Sequence, residues 1–306
     1  MTTSEDIQMR KVQIITDSCS DLTPELMERY HIAYAKMTTI LEGKSSPADL
    51  AWTAEDAHNF YDIMREGKRI TTTQVPPEEF DRVFRKYLDE NFDIVYIGCS
   101  LKQSGSVNTA AVIAKKLAPE YPEAEIYCID SLRASLGEGM LAMEAAKFAK
   151  DGVPAAEVAK YTLEMRNHVR EYVAVHTLDY LKRAGRVKAS AAFFGNLLGV
   201  KPIITADADG EQTAYKKAKG RAASLAEAVA LLKEHIKDAA GQTVYIAHAD
   251  CDKEELDAMR QTLLSEIGCH DVYTAYMGPI IGASIGPGAM AIFALGEEQT
   301  FRIGEE

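Results

Sequence analysis

The sequence predicts an α/β protein of two domains. The N-terminal domain has a parallel sheet with helices on both faces, and the C-terminal domain has two layers built on a mixed sheet. Short apolar, β-rich runs alternate with segments of helical periodicity through the first half, a pattern typical of parallel sheets. In the second half, Asp209-Gly210 between two strand-like runs indicates a hairpin and therefore antiparallel pairing. The length of 306 residues suits two domains.

The change of pattern falls in a charged run, RNHVRE, which ends at Glu171. We therefore predict a polar tail over residues 1–10, a first domain over residues 11–170 and a second domain over residues 171–306.

The first domain is predicted to begin with a strand from Val12 to Ile15, followed by the polar segment TDSCSD. Thr23 and Pro24 open a helix as N-cap and first helical residue. Ile32 to Leu41 alternates enough to form a second strand, and Gly43 to Leu50 is predicted to be a turn-rich connection.

A row of threonines precedes one of the next helices. A helix begins at Thr53, and the segment TTTQVPPEEF comes after it. Pro76 keeps the threonines extended before a second helix, which starts near Pro77. Three consecutive threonines, including Thr72 and Thr73, exceed what one helix cap needs.

The stretch from Asp93 to Leu117 organises the first domain. Ile94 to Cys99 is an apolar run without charge, which is typical of a strand buried on both faces. In the loop that follows, Ser104, Gly105 and Ser106 lie where a helix begins, and its unpaired N–H groups favour a small anionic group there. The alternative is that one serine caps the helix and the others are solvated.

A fourth strand, from Glu125 to Ile129, ends at Asp130-Ser131 and precedes helices over residues 134–150 and 155–167. In parallel sheets, ligands bind beyond the carboxyl ends of the strands. The hydroxyl-rich segments at 16–20, 100–106 and 130–131 all follow strands, so we expect them to share one crevice.

The second half opens with a strand from Tyr172 to His176 and an unusually apolar pair of short helices on either side of Gly185-Arg186. These helices form either ordinary core or the wall of a ligand site. Strands over 200–205, 213–217, 243–247, 271–276 and 291–295 and helices over 221–239 and 253–267 complete a mixed sheet. The apolar residues of the helix pair are Leu178, Leu181, Phe193, Phe194, Leu197 and Leu198.

Charge and composition exclude several classes of function. The chain has 34 Lys plus Arg against 46 Asp plus Glu, a net charge of −12, which disfavours a general nucleic-acid binder or a polybasic membrane anchor. No signal peptide or spanning segment is indicated, so we expect a soluble, cytoplasmic protein. The five cysteines form no C-x-x-C pair, which argues against a disulfide framework and a thiolate zinc site; they are Cys19, Cys99, Cys128, Cys251 and Cys269.

Motifs for catalysis are weak. The segment GASIG around Ser284 matches G-x-S-x-G, but that fold needs a later histidine, and none follows His270. Gly137-Glu138-Gly139 lies too far past its strand for a dinucleotide fingerprint. His248 and Cys251 are adjacent at a strand end without further support as ligands or nucleophile. We expect no catalytic residue, no metal and no cofactor.

Five segments taken together resemble the DegV family, whose characterised members are bacterial fatty-acid-binding proteins. They are ITDSCSDL, TTTQVP, CSLKQSGS, the pair HTLDYLKRAGR with LLGVKPII, and GASIGPGAMAI. The resemblance spans Val12 to Leu295. It implies a DegV-like two-domain fold and a long-chain fatty acid held between the domains. It also implies that the acid's carboxyl group is presented to a separate fatty acid kinase, so the protein is a carrier in phospholipid metabolism and not an enzyme.

The resemblance also assigns residues. Thr72 and Thr73 match the T-S of the family's T-S-Q-P motif, and Val75 replaces its proline. The family's S-G-T corresponds to Ser104, Gly105 and Ser106, and the arginine of its G-R pair to Arg186, expected near the headgroup or the kinase-facing surface.

Ser284 replaces the histidine of the family's G-T-H-x-G-P-G, so the carboxyl network is rebuilt through water or the headgroup differs. The acyl wall is predicted from apolar residues: Phe193, Phe194, Leu197, Leu198 and Ile203. The alternative hypothesis is a serine hydrolase or acyl transferase that uses Ser284 or Ser104. The sequence leaves open the chain length, the saturation, the kinase's identity and the oligomeric state.

Overall fold

The computed structural model describes residues 10–177, 179–188 and 199–304. Its strands are β1 (Lys11–Asp17), β2 (Ala33–Ala35), β3 (Thr38–Leu41), β4 (Lys44–Pro47), β5 (Ile70–Thr73), β6 (Phe92–Gly98), β7 (Ile126–Asp130), β8 (Val169–Ala174), β9 (Val200–Ala206), β10 (Gln212–Lys219), β11 (Thr243–His248), β12 (Asp271–Tyr276) and β13 (Met290–Leu295). Its α-helices are α1 (Pro24–Tyr30), α2 (Ala54–Arg65), α3 (Pro77–Asp89), α4 (Ser106–Leu117), α5 (Leu136–Phe148), α6 (Ala155–Met165), α7 (Asp179–Ala184), α8 (Arg221–His235), α9 (Lys253–Thr262) and α10 (Pro279–Ile285).

The first sheet is four-stranded and parallel, in the order β2-β1-β6-β7, which confirms the predicted fold class of the first half. Its central strands are apolar on both sides because helices cover both faces. Helices α3 and α4 pack on one face, and α5 and α6 pack on the other. Parallel strands end at the same edge, so the loops after β1, β6 and β7 meet there.

The prediction of one strand over residues 32–41 was wrong. It is two strands in different sheets, because the chain leaves the parallel sheet after β2 and forms a small antiparallel sheet in the order β4-β3-β5. Glu42 and Gly43 turn the chain between β3 and β4 with φ of 50° and 79°, as in a two-residue hairpin loop. The predicted turn-rich connection after residue 43 therefore contains a strand, whose exposed polar residues gave no strand pattern.

The second sheet is mixed and has six strands in the order β10-β9-β8-β13-β11-β12. Among the paired strands of this sheet in the described residues, β11 and β12 are parallel and the others antiparallel, and the hairpin at Asp209-Gly210 joins β9 and β10, as predicted. The strand predicted from Tyr172 begins three residues earlier, at Val169, because charged Arg170 and Glu171 are accommodated within it.

Helix α5 lies between the two sheets. It contacts β1 and β6 of the first sheet and β8, β11 and β13 of the second, while α8 covers the opposite face of the second sheet. The carboxyl edge of the first sheet thereby comes to lie against one face of the second. No α-helix in the described part of the chain is both long and apolar enough to span a bilayer.

Candidate functional site: a cavity between strand tips and a sheet face

A cavity of about 260 Å³ lies where the two sheets meet. One side, which we name the tip wall, comprises residues 72–74, 103–105 and 134–135 with Cys19, Met37 and Cys99. These residues lie near the carboxyl ends of strands β1, β5, β6 and β7. The opposite side, which we name the face wall, is formed by strands of the second sheet: Glu171, Val173, Ile204, Gln212, Ala291 and Phe293. Residues of α7 and α10, among them Leu181, Ile280 and Ser284, close the remaining sides.

The serine loop meets the threonine row at the mouth of the cavity. Ser104 and Ser106 share a hydrogen bond of 2.9 Å between their Oγ atoms, and the Val75 backbone N–H donates to Ser106 Oγ at 3.2 Å. A Cβ at Gly105 would lie 2.2 Å from Gln74 Oε1, so a larger residue there would displace that exposed side chain. Thr72, Thr73, Ser104 and Gly105 line the cavity, whereas Ser106 is fully buried behind them.

Helix α4 begins at Ser106, and Gly105 occupies its cap position without a side-chain cap. The interpretation that a serine caps this helix is therefore not supported. Ser104 Oγ instead accepts a hydrogen bond of 3.3 Å from the Ser106 N–H, which keeps the loop turned toward the cavity.

Gln103, which the sequence analysis missed, also lines the cavity. Its side-chain nitrogen Nε2 is buried and has no hydrogen-bond partner. A buried donor without an acceptor costs about 1–3 kcal/mol, so this position favours a ligand that supplies an oxygen.

Most of the other alcohols at the strand ends serve the protein itself. Thr16 donates to Glu138 at 2.6 Å, Ser18 to the Ala48 carbonyl at 2.7 Å, and Ser100 to the Gly210 carbonyl at 2.8 Å. The predicted shared crevice therefore has fewer ligand-facing hydroxyls than expected, and only the 100–106 loop contributes them from the segments named for it.

Ser284 and Arg186 lie at the mouth. Ser284, one residue before the end of α10, borders both the cavity and a smaller adjoining cleft. Arg186 is exposed, with Nε 3.5 Å from the Gln103 carbonyl oxygen, and also borders both spaces. The cleft is lined by three further basic residues: Lys68, Arg69 and Arg183.

The serine-hydrolase alternative finds no support in this geometry. Ser284 lies within a helix and not at a sharp turn from strand to helix, and the side-chain partner of Ser104 is another serine. None of the described residues that line the cavity is a histidine.

The apolar part of the cavity requires one correction. Ile203 is buried in the cluster under α8, on the far face of β9, whereas its neighbour Ile204 faces the cavity. Successive side chains of a strand point to opposite faces, so the prediction was displaced by one residue. Phe193, Phe194, Leu197 and Leu198 lie outside the described residues.

Asp17 joins the tips of β1 and β6. Its carboxylate accepts hydrogen bonds from the Cys19 N–H at 2.8 Å, the Tyr96 hydroxyl at 2.7 Å and the Cys99 N–H at 3.3 Å. Burial raises the pKa of Asp17 despite these donors. Its position as the last residue of the first strand is the signal that could have identified it.

Asp21 connects the tip wall to α10. The Ser135 hydroxyl donates to its carboxylate at 2.5 Å, and the Gly278 N–H donates at 2.8 Å. Burial raises the pKa of Asp21 to about 7. This carboxyl group holds α10, and with it Ser284, in place beside the cavity.

One polar pair interrupts the face wall. Glu171 is 2% exposed and accepts a hydrogen bond from the Gln212 side chain. Burial raises the pKa of Glu171, with Arg133 opposing the shift. A glutamate that directly precedes the apolar run from Tyr172 is the signal that the sequence analysis passed over.

Comparisons with known proteins agree with this architecture. The sequence profile of the DegV family, described as uncharacterised proteins, matches residues 11–297. The chain belongs to the DegV family. The resemblance that its five motifs indicate is confirmed.

A DegV domain-containing protein of Clostridium perfringens is 32% identical over 289 residues, which cover 94% of this chain and 99% of the relative. A solved DegV family protein from Thermus thermophilus, described as binding fatty acid, has a TM-score of 0.83 and 26% identity, covering 94% of this chain and all of that one. A solved protein from Thermotoga maritima, described as revealing a fatty acid binding function, has a TM-score of 0.78 and 26% identity, with the same coverage.

Proposed function

We propose that this protein binds a long-chain fatty acid in the cavity between its two sheets and presents the carboxyl group to a separate fatty acid kinase, without catalysing a reaction itself. The observation that carries the proposal is the gradient along the cavity: alcohol and amide groups at its mouth lead to apolar side chains on the face wall. The two solved relatives described as binding fatty acids support it.

The headgroup end is suited to a carboxylate. Thr72 and Ser104 offer hydroxyl donors, and the unpartnered Gln103 Nε2 offers a third donor from a buried position. Hydrogen bonds to a charged acceptor are worth roughly twice those between neutral groups. A carboxylate can therefore be held here without a buried cation.

The tail would lie along the face wall. Val173, Ile204, Ala291 and Phe293 present aliphatic and aromatic carbon to the cavity. Each buried CH₂ contributes roughly 0.8 kcal/mol, so an acyl chain of about sixteen carbons supplies enough free energy for tight binding after the entropic costs are subtracted.

The kinase step is the finer part of the proposal. The cleft that adjoins the mouth carries Lys68, Arg69, Arg183 and Arg186, in a chain whose net charge is −12. Such a cluster suits the phosphoryl group that a kinase would transfer to the carboxyl oxygen. We further propose that the two sheets mark two domains divided near residue 170 and that the protein works in the cytoplasm, where ATP is available to the kinase.

Ligand identity is tested by extraction. Protein purified without detergent is denatured, and the released lipid is measured by mass spectrometry, with about one long-chain fatty acid per protein expected. The double variant Thr72→Val, Ser104→Ala should retain less fatty acid while keeping the unfolding midpoint of the wild type.

A matched control removes one threonine hydroxyl and one serine hydroxyl far from the cavity. Thr262→Val with Ser265→Ala deletes two exposed hydroxyls that donate only to helix carbonyls at 2.9 and 2.8 Å. This control should retain lipid fully. Wild-type protein that releases no fatty acid and binds none added to it would refute the carrier function.

The kinase step needs its own assay. Loaded protein is incubated with ATP, alone or with a bacterial fatty acid kinase, and acyl phosphate is trapped with hydroxylamine. Product is expected only with the kinase. Product from the protein alone would show that it is an enzyme.

A further inference from the structure

Two cysteines that lie 80 positions apart in the chain meet beside the cavity. Cys19 follows β1 and Cys99 follows β6, and these strands are neighbours in the parallel sheet. The Sγ atoms of both residues and a carboxylate oxygen of Glu138, from α5, all lie within 4.8 Å of one another. The absence of a C-x-x-C pair concealed this arrangement in the sequence.

We propose that Cys19, Cys99 and Glu138 bind one zinc ion. Two thiolates and one carboxylate form a donor set that zinc accepts, and a tetrahedral site then has one position left. In such a site two sulfurs at about 2.3 Å from the ion lie about 3.8 Å apart, so from a separation of at most 4.8 Å the two sulfurs need to approach by no more than about 1 Å.

The carboxyl group of Glu138 supplies an independent observation. Glu138 is 0% exposed, its Oε1 atom accepts a hydrogen bond of 2.6 Å from Thr16, and its Oε2 atom is buried with no hydrogen-bond partner. The charged or polar groups that face it are Asp17, by its carboxylate and its backbone N–H, and the side chains of Thr16, Cys19, Tyr96 and Cys99, none of them basic. A cation would provide the partner that this carboxyl group lacks.

The backbone around the cysteines is already fixed. The two oxygens of Asp17 accept hydrogen bonds from the N–H groups of Cys19 and Cys99, which holds both residues at a constant separation. Such outer contacts orient metal ligands and increase affinity.

The remaining coordination position faces the cavity. Cys19, Cys99 and Met37 line the cavity, whereas Glu138 lies behind them. Met37 Sδ is 3.4 Å from Cys19 Sγ, so either this thioether or water entering from the cavity completes the shell. Zinc enters by the same route, and the two thiol protons leave to solvent as it binds.

Cobalt(II) is the probe, because its bonds to thiolates give charge-transfer absorption. The full-length protein, stripped of lipid and kept reduced, is checked for five free thiols after denaturation and then titrated with cobalt(II). We expect one equivalent to bind with a thiolate charge-transfer band, and zinc to displace it. Zinc analysis of protein purified without chelators should give about one ion per chain.

Variants separate this site from other metal binding. Cys19→Ser and Cys99→Ser should each abolish or halve the charge-transfer band. Glu138→Gln, which keeps the shape of the side chain, should retain the band and weaken cobalt affinity at least 10-fold. Cys269→Ser is the matched control in the second half of the chain and should bind like the wild type.

The proposal fails if reduced wild-type protein gives no thiolate band, or if the band keeps its full intensity in both Cys19→Ser and Cys99→Ser. Circular dichroism checks that each variant folds. Should a serine variant fail to fold, a Glu138→Gln protein with unchanged affinity overturns the proposal on its own.

Discussion

The tip wall and the face wall of the cavity differ in what a β-sheet can offer a ligand. Strand tips end in turns, so their backbone N–H groups and short polar side chains are available. On a strand face, the backbone N–H and C=O groups are hydrogen-bonded to neighbouring strands, and only side chains reach the ligand. Ser104 and Gly105 belong to the first kind of wall, whereas Val173 and Ile204 belong to the second.

Under the proposed function, this difference indicates where each end of the fatty acid would lie. A carboxylate needs several convergent donors, which the tip wall supplies, and a hydrocarbon chain needs a smooth apolar surface, which a sheet face supplies. The polar pair of Glu171 and Gln212 is the exception on the face wall: the Gln212 amide donates to Oε1 of Glu171, whereas Oε2 is buried without a hydrogen-bond partner.

The largest expected effect comes from filling the face wall. Ile204→Trp should lower the affinity for hexadecanoic acid at least 100-fold, because the added ring occupies volume in a cavity of about 260 Å³. Affinity is measured by titration calorimetry with delipidated protein.

The neighbouring residue provides the control. Ile203→Ala leaves a hole under α8 and should lower the free energy of unfolding by about 2–5 kcal/mol while fatty acid affinity stays within twofold. If Ile204→Trp binds fatty acid strongly and Ile203→Ala binds it weakly, Ile203 and not Ile204 faces the cavity.

The next effect concerns Asp21, which joins the tip wall to α10. Its folded-state pKa of about 7 lies above the ordinary value of 3.8, so the stability that its protonated form contributes is fully present below pH 3.8 and is lost as the pH rises through 7. Asp21→Asn should therefore stabilise the protein more at pH 8 than at pH 5, by about 2–3 kcal/mol. Urea unfolding at both pH values measures the difference.

Asp238→Asn is the matched control, since Asp238 is exposed and also has a positive φ, 45° against 51° for Asp21. Any benefit of asparagine in that backbone conformation appears in both variants. An Asp21→Asn gain that does not depend on pH would contradict the raised pKa.

Ser104 in the tip wall and Ser106 buried behind it are expected to have different roles. Ser104 faces the cavity, so Ser104→Ala should weaken fatty acid binding about 10-fold with little loss of stability. Ser106 is buried and receives the Val75 N–H, so Ser106→Ala should cost about 1–3 kcal/mol of stability. Calorimetry measures the fatty acid affinity of both variants, and urea unfolding measures their stability. Equal losses of affinity would place both hydroxyls at the headgroup.

The sequence predicted the residues of the tip wall better than those of the face wall. Motifs with clear local chemistry, such as the Ser104 loop after β6, were recognised because strand ends and helix starts carry local signals. The choice between Ile203 and Ile204 depends on which sheet face meets α5, and no local pattern contains that information. The pairing of Cys19 with Cys99 depends on strand order and was missed for the same reason.

The second sheet shows the same limit within its strands. Its hairpin at Asp209-Gly210 was predicted from two residues, because turn geometry is local. Glu171 was read as part of a domain boundary, since charge in a strand normally indicates an exposed segment. Its burial depends on tertiary neighbours, with Gln212 as a hydrogen-bond donor and Arg133 as a nearby cation.

The smallest expected effect on binding belongs to Arg186, at the outer edge of the tip wall. Its guanidinium group is exposed and its Nε lies 3.5 Å from the Gln103 carbonyl, so water and salt screen its attraction for a carboxylate in the cavity. Arg186→Gln should lower fatty acid affinity less than threefold, measured by calorimetry at low and high salt. A direct ion pair with the headgroup would instead cost more than 10-fold and depend on salt.

The same variant separates binding of the fatty acid from the subsequent kinase reaction. Arg186 also borders the basic cleft, so the kinase reaction with Arg186→Gln should be slowed more than binding is weakened. Arg29→Gln, on α1, changes the net charge equally and should alter neither quantity. If Arg186→Gln and Arg29→Gln support the same kinase rate, the basic cleft has no part in the transfer, and the tip wall alone presents the carboxyl group.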